Sequence, residues 1–204
     1  MTENTSIYFK SLKRGRFMLT YPMNVAGLQR DLPICKVHDT LSIGAFIVFG
    51  DAELTVACAR ELLKLVDADS YDYILTAEAK SIPLIHEMAR QSGAERYFLA
   101  RKATKVYLTN PIKVAVRSIT TQRDQELYLS GDDAAMIRGK RVLIMDDVIS
   151  TGESLIAMEK LVELAGGIVS DRIAVLAEGD AANRSDIKFL EKLPLFNPDG
   201  TVLG

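Results

Sequence analysis

Val142-Leu143-Ile144-Met145-Asp146-Asp147-Val148-Ile149-Ser150-Thr151-Gly152-Glu153-Ser154 decides how this chain folds. Four apolar residues form a strand and deliver two carboxylates to its end. A small polar turn follows, and a helix begins. That helix carries Leu155, Met158, Leu161, Val162 and Ala165 at helical spacing and stops at Gly166 and Gly167. The first N–H groups of a helix lack intrahelical partners and point outward, which suits a phosphate. Gly152 permits backbone conformations that let amides approach an anion, and Thr151 and Ser154 add hydroxyl donors. The paired carboxylates can accept hydrogen bonds from a sugar diol. Helix capping by Asp147, Ser150 or Thr151 requires only one such residue and leaves the rest of the run unexplained. Adjacent acids at a strand end also repel, which points to a ligand or metal that relieves them.

Outward from this segment the chain alternates between two periods. Upstream, Leu54, Cys58, Leu62 and Leu65 mark a helix with Asp51 as its N-cap. Tyr73, Ile74 and Leu75 form a strand. Ser81 can cap a second helix, with Pro83 in its first turn and Gly93 at its end. Tyr97, Phe98 and Leu99 make a second strand, and Ile173 to Leu176 a further one downstream. Strands alternating with helices predict an α/β fold: a Rossmann-like parallel sheet flanked by helices, with right-handed crossovers. The first 50 residues break that rhythm, although Arg16 to Tyr21 and Ile34 to Val37 look like short strands. The expected organisation is an N-terminal covering segment, 1–50, and an α/β core, 51–204. Ligands of open parallel sheets bind outside the carboxyl ends of the strands. Thr76 to Ser81, Arg101-Lys102 and Asp146-Asp147 all follow strands, so they converge on one crevice if those strands are neighbours.

Composition narrows the function. The 204 residues are 48% hydrophobic and 25% charged, ordinary values for a globular domain. Lys+Arg is 25 against 27 for Asp+Glu, so the basic excess typical of nucleic-acid binders is missing. Cys35 and Cys58 form no CxxC pair and, with two histidines, make a poor zinc set. Both are expected to pack as small apolar residues in a reducing compartment. Met1 to Lys10 is polar, and no apolar run approaches the ~18 residues of a membrane span. The expected location is the cytoplasm, with no membrane partner. Neither GxxxxGK[ST] nor GxGxxG occurs.

Every position from Val142 to Ser154 fits the phosphoribosyl-pyrophosphate motif of the type I phosphoribosyltransferases, and the chain resembles that family from about Tyr73 to Asp180. The resemblance implies that Asp146 and Asp147 hold ribose hydroxyls and that Ser150, Thr151, Gly152, Glu153 and Ser154 hold the 5′-phosphate. It implies a pyrophosphate loop at Glu78-Ala79-Lys80-Ser81, with a cis peptide at Glu78–Ala79, and further pyrophosphate contacts from Arg101, Lys102 and Lys105. Asp146, Asp147, Lys80 and Arg101 form the implied catalytic set. Magnesium would reach Asp146 and Asp147 indirectly, through ribose or water. No acid occurs from Arg101 to Arg123, and the stretch of about 104–125 resembles the family's mobile hood over the site.

Thr76-Ala77-Glu78-Ala79 with Ile82-Pro83-Leu84 is similar to the purine branch of adenine, xanthine and archaeal hypoxanthine enzymes. Ser118-Ile119-Thr120-Thr121-Gln122 resembles the xanthine enzymes, and the Glu-Tyr pair of the adenine enzymes is missing from this loop. Ser150 stands where hypoxanthine-guanine enzymes carry an aspartate, and serine is a poor general base. The implied activity is purine salvage by a glycosyltransferase that joins a purine to phosphoribosyl pyrophosphate and releases pyrophosphate. The implied assembly is a homodimer. Two alternatives stay open: a regulator that binds phosphoribosyl pyrophosphate without catalysis, and an orotate or uracil phosphoribosyltransferase. Glu126, His38 and His86 are read as surface or structural residues.

Overall fold

The structure, a computed structural model, describes residues 8–11, 17–116 and 125–203. It opens with β1 (Tyr8–Ser11), β2 (Phe17–Val25), β3 (Leu28–His38) and β4 (Leu41–Gly44), each antiparallel to the next. Then come α1 (Ala52–Leu63), β5 (Tyr73–Ala77), α2 (Ile82–Ser92) and β6 (Phe98–Ala100). A hairpin, β7 (Ile112–Val116) and β8 (Gln125–Leu129), precedes α3 (Gly131–Ile137). The remainder runs β9 (Arg141–Ile149), α4 (Glu153–Leu164), β10 (Ile168–Glu178), β11 (Lys188–Leu193) and β12 (Leu195–Phe196).

The central sheet has the order β11-β10-β9-β5-β6, and every neighbouring pair is parallel. It is the expected α/β sheet with one more strand. β11 (KFLEKL) escapes a hydrophobic-period reading because it lies on an edge and half of its side chains face water. Val142, Leu143, Ile144 and Met145 are all fully buried in the middle of the sheet. Ile144 packs in the cluster with α4 and the β7–β8 hairpin, while Leu143 and Met145 pack in the cluster with α1 and α2. A strand covered on both faces needs apolar residues on both, which explains the continuous run. Each fully buried side chain contributes about 1.5–3 kcal/mol.

The N-terminal strands lie against the α1 and α2 face. Met23, Val25, Leu32, Phe46 and Val48 share a core with Leu143, Met145 and Val175. Arg30 on β3 reaches Asp51 at 2.6 Å and Glu53 at 2.8 Å, tying the hairpin to the start of α1. Asp51 also caps α1, accepting from Leu54 N at 3.0 Å. β12 pairs with β4, so the chain's last strand completes the N-terminal sheet. Cys58 is buried as expected, but Cys35 is exposed on β3 because its side chain faces away from the core. No described helix is long and apolar enough to cross a membrane.

Candidate active site

β9 does not stop before its acids. It pairs with β10 through Ala174↔Asp146, Leu176↔Val148 and Ala177↔Ile149, whereas its register with β5 ends at Leu75↔Ile144. The two carboxylates therefore sit on strand backbone that has lost its neighbour on the β5 side. Ser81 fills that gap. Its Oγ accepts from Asp147 N at 3.0 Å, and its single proton is shared between the Oδ1 atoms of Asp146 and Asp147, 2.9 and 3.0 Å away. Ser81 stands at the N-cap position of α2 but its side chain makes no cap bond. The capping role expected of it gives way because the hydroxyl accepts from the Asp147 N–H instead of from a helix N–H. Burial, then the charge of Asp147, pushes the Asp146 carboxyl up to about 7.

The loop after β5 lies beside these acids, because β5 neighbours both β9 and β6. Lys80 Nζ lies 2.5 Å from Asp147 Oδ2 and donates to Phe46 O at 3.4 Å. Asp147 is 7% exposed and Lys80 47%, so the cation closes over the carboxylate from the solvent side. The Glu78–Ala79 peptide is cis. Glu78 accepts from Arg101 Nη1 at 2.6 Å and from Lys102 N at 3.0 Å. The Arg101 pair contributes to holding its carboxyl below the usual range, against the opposing effect of burial. Glu78 thus anchors the loop after β6 to the loop after β5. Lys102 and Lys105 are exposed beside it, and Lys105 adds to the field on Glu78.

The turn from β9 into α4 is built around Gly152, the N-cap, at φ 81 and ψ 5. No side chain caps this helix, so Asp147, Ser150 and Thr151 are not spent on that task. Asp146, Val148 to Ser154 and Leu155 line a pocket of 110 Å³ at the helix start. Unpaired N–H groups and the positive end of the helix dipole face an anion bound there. A Cβ on Gly152 would lie 2.5 Å from Arg184 Nη1, so the guanidinium covers the turn.

Two site-adjacent residues went unread in the sequence. Arg184 follows β10 through the short 3-10 turn Gly179–Asn183. Glu178, the last residue of β10, is 7% exposed, and burial raises its carboxyl above the usual range. Ser150 and the charge of Lys80 act on it in the opposite direction. An acid after a long apolar run at a strand's carboxyl end was the available signal for it. Glu126 on β8 is bonded to Lys113 at 2.8 Å and to the Tyr128 hydroxyl, which hold its carboxyl below the usual range. That is a poor proton acceptor, as expected of a surface residue. His86 lies within α2 with its ring edge-on to Tyr97 at 6.0 Å, and His38 is exposed on β3. Arg117, Arg123 and Ser118 to Gln122 lie outside the described residues.

Among the described residues, no group of three or more His, Cys, Asp or Glu is placed to hold a metal alone. Asp146 and Asp147 nevertheless offer hard oxygen donors beside the pocket. They fit magnesium held indirectly, through the water and substrate oxygens that complete its shell.

Residues 52–194 match the family described as phosphoribosyl transferase domain. The chain is 31% identical over 159 residues to a hypoxanthine/guanine phosphoribosyltransferase of Methanothermococcus okinawensis, spanning 75% of this chain and 82% of that protein. It is 32% identical over 122 residues to the enzyme of the same name from Methanotorris igneus, spanning 60% of this chain and only 62% of that protein. Among solved structures, adenine phosphoribosyltransferase from Thermoanaerobacter pseudethanolicus superposes with a TM-score of 0.58 at 27% identity. That match covers 71% of this chain and 83% of the other.

Proposed function

The chain belongs to the phosphoribosyl transferase domain family, and on that premise we propose that it joins a purine base to phosphoribosyl pyrophosphate, releasing pyrophosphate. One observation carries this reading: Asp146 and Asp147 flank a glycine-capped helix start, with Lys80 2.5 Å from Asp147. Such a site can hold a 5′-phosphate, a ribose diol and a pyrophosphate side by side. The purine names of the relatives support a purine substrate. They argue against both the orotate or uracil alternative and the regulator that only binds.

The reaction breaks the ribose C1–oxygen bond to pyrophosphate and forms a C1–nitrogen bond to the purine. Positive charge develops on the ribose, so catalysis consists largely of positioning and charge stabilisation. Asp146 and Asp147 orient the ribose through its hydroxyls. Lys80 and Arg101 face the charge that builds on the leaving pyrophosphate, with Arg101 aimed by Glu78. Lys102 and Lys105 add to that field. Magnesium, when bound, neutralises pyrophosphate charge. The purine loses a ring proton during the reaction. Ser150 alone is a poor base, and we assign that proton to nearby Glu178, whose carboxyl burial raises above the usual range.

In this reading, residues 1–50 cover the base and the loop around 104–125 closes over the site and excludes water. The homodimer and the cytoplasmic location belong to the same reading. A screen of adenine, hypoxanthine, guanine, xanthine, orotate and uracil, with magnesium and phosphoribosyl pyrophosphate, tests it.

A further inference from the structure

We propose that Arg184 is a direct ligand of the 5′-phosphate; this rests on the function proposed above. The first support is charge. Residues 146–155 include Asp146, Asp147 and Glu153 but no Lys or Arg. A phosphate monoester carries about −1.5 to −2 at pH 7. The helix start offers only about +0.5 elementary charge against it. Lys80 already pairs with Asp147, so a dianion beside Asp146 and Glu153 is favoured by a further cation from another part of the chain.

The second support is position. Arg184 Nη1 occupies the space where a Gly152 Cβ would stand, 2.5 Å from that point. Gly152 is the N-cap of α4 and lines the phosphate-sized pocket. The third support is orientation. Arg184 Nε and Nη2 donate to Asp186 Oδ1 and Oδ2 at 2.9 and 2.7 Å. A two-point carboxylate contact fixes the guanidinium plane and leaves Nη1 directed at the turn. Arg184 is 30% exposed, half sheltered rather than extended into water.

Calorimetric titration of wild type, Arg184→Gln and Arg184→Lys with ribose 5-phosphate and, separately, pyrophosphate tests this. Arg184→Gln should bind ribose 5-phosphate at least about tenfold more weakly and pyrophosphate as wild type does. Arg184→Lys should fall between them, and it decides the matter if the glutamine variant does not fold. Unchanged ribose 5-phosphate affinity in both variants would overturn the proposal. An equal loss for both ligands would also overturn it, because a structural brace acts without regard to ligand. If wild type binds pyrophosphate but not ribose 5-phosphate, the Arg184 assignment and the phosphate turn fail together. If it binds neither, the proposed function itself is wrong.

Discussion

Lys80 Nζ lies 2.5 Å from Asp147 Oδ2, so the cation of the loop after β5 is clamped to the carboxylate of the neighbouring strand. In the proposed function the pair joins the two halves of the site, where pyrophosphate would leave and where ribose would be held. Lys80→Ala should lower kcat/KM about 100-fold and weaken product inhibition by pyrophosphate, because charge builds on that group in the transition state. Steady-state kinetics with added pyrophosphate checks both effects. A loss of turnover with unchanged pyrophosphate inhibition would place Lys80 on the ribose side only.

Ser81→Ala removes a hydroxyl that is 1% exposed and bonded to both aspartates. The Asp147 N–H would lose an acceptor and the two carboxylates a shared donor. Stability should drop by about 1–3 kcal/mol, and the KM for phosphoribosyl pyrophosphate should rise. Thermal unfolding and kinetics on one preparation measure both.

Asp146 gives a pH signature. Its folded pKa, about 7, lies above the unfolded value near 3.9. The folded state therefore binds this proton more tightly. The resulting stabilisation is complete below about pH 4, is lost progressively as pH rises towards 7, and then levels off. Asp146→Asn mimics the protonated form. Its stability advantage over wild type should grow between pH 4 and 7 and stay constant above. An advantage independent of pH would mean that Asp146 titrates as an ordinary exposed acid.

Gly152→Ala places a Cβ at φ 81 and 2.5 Å from Arg184 Nη1. The left-handed backbone costs about 1–2 kcal/mol, and the guanidinium must move as well. The KM for phosphoribosyl pyrophosphate should rise about tenfold or more, with the purine KM changed far less. A normal KM would show that the turn does not hold phosphate.

These predictions draw on two kinds of information. The strand–turn–helix around Asp146 and Asp147 was legible because everything it needs is consecutive: an apolar run, acids, a glycine turn and a helical face. The convergence of the three strand ends followed from the alternation of periods, and the register of β5 with β6 and β9 supplies it. What was not legible depends on distant partners. Ser81 reads locally as a cap, yet its hydroxyl is taken by carboxylates 65 and 66 positions away. Arg184 reads as one basic residue in a polar tail until Gly152 is seen beneath it. β11 and β12 carry weak patterns because each lies on the edge of a sheet. The first 50 residues were expected to cover the core, but which of their side chains pack with Leu143 and Met145 depends on contacts distant in sequence.

The central claim is tested most directly by incubating the purified chain with phosphoribosyl pyrophosphate, magnesium and each of six bases, reading pyrophosphate release and nucleotide formation together. Conversion of at least one of adenine, hypoxanthine, guanine or xanthine to its 5′-monophosphate is the expected result, with orotate and uracil inert. Binding of phosphoribosyl pyrophosphate without turnover of any purine would contradict it.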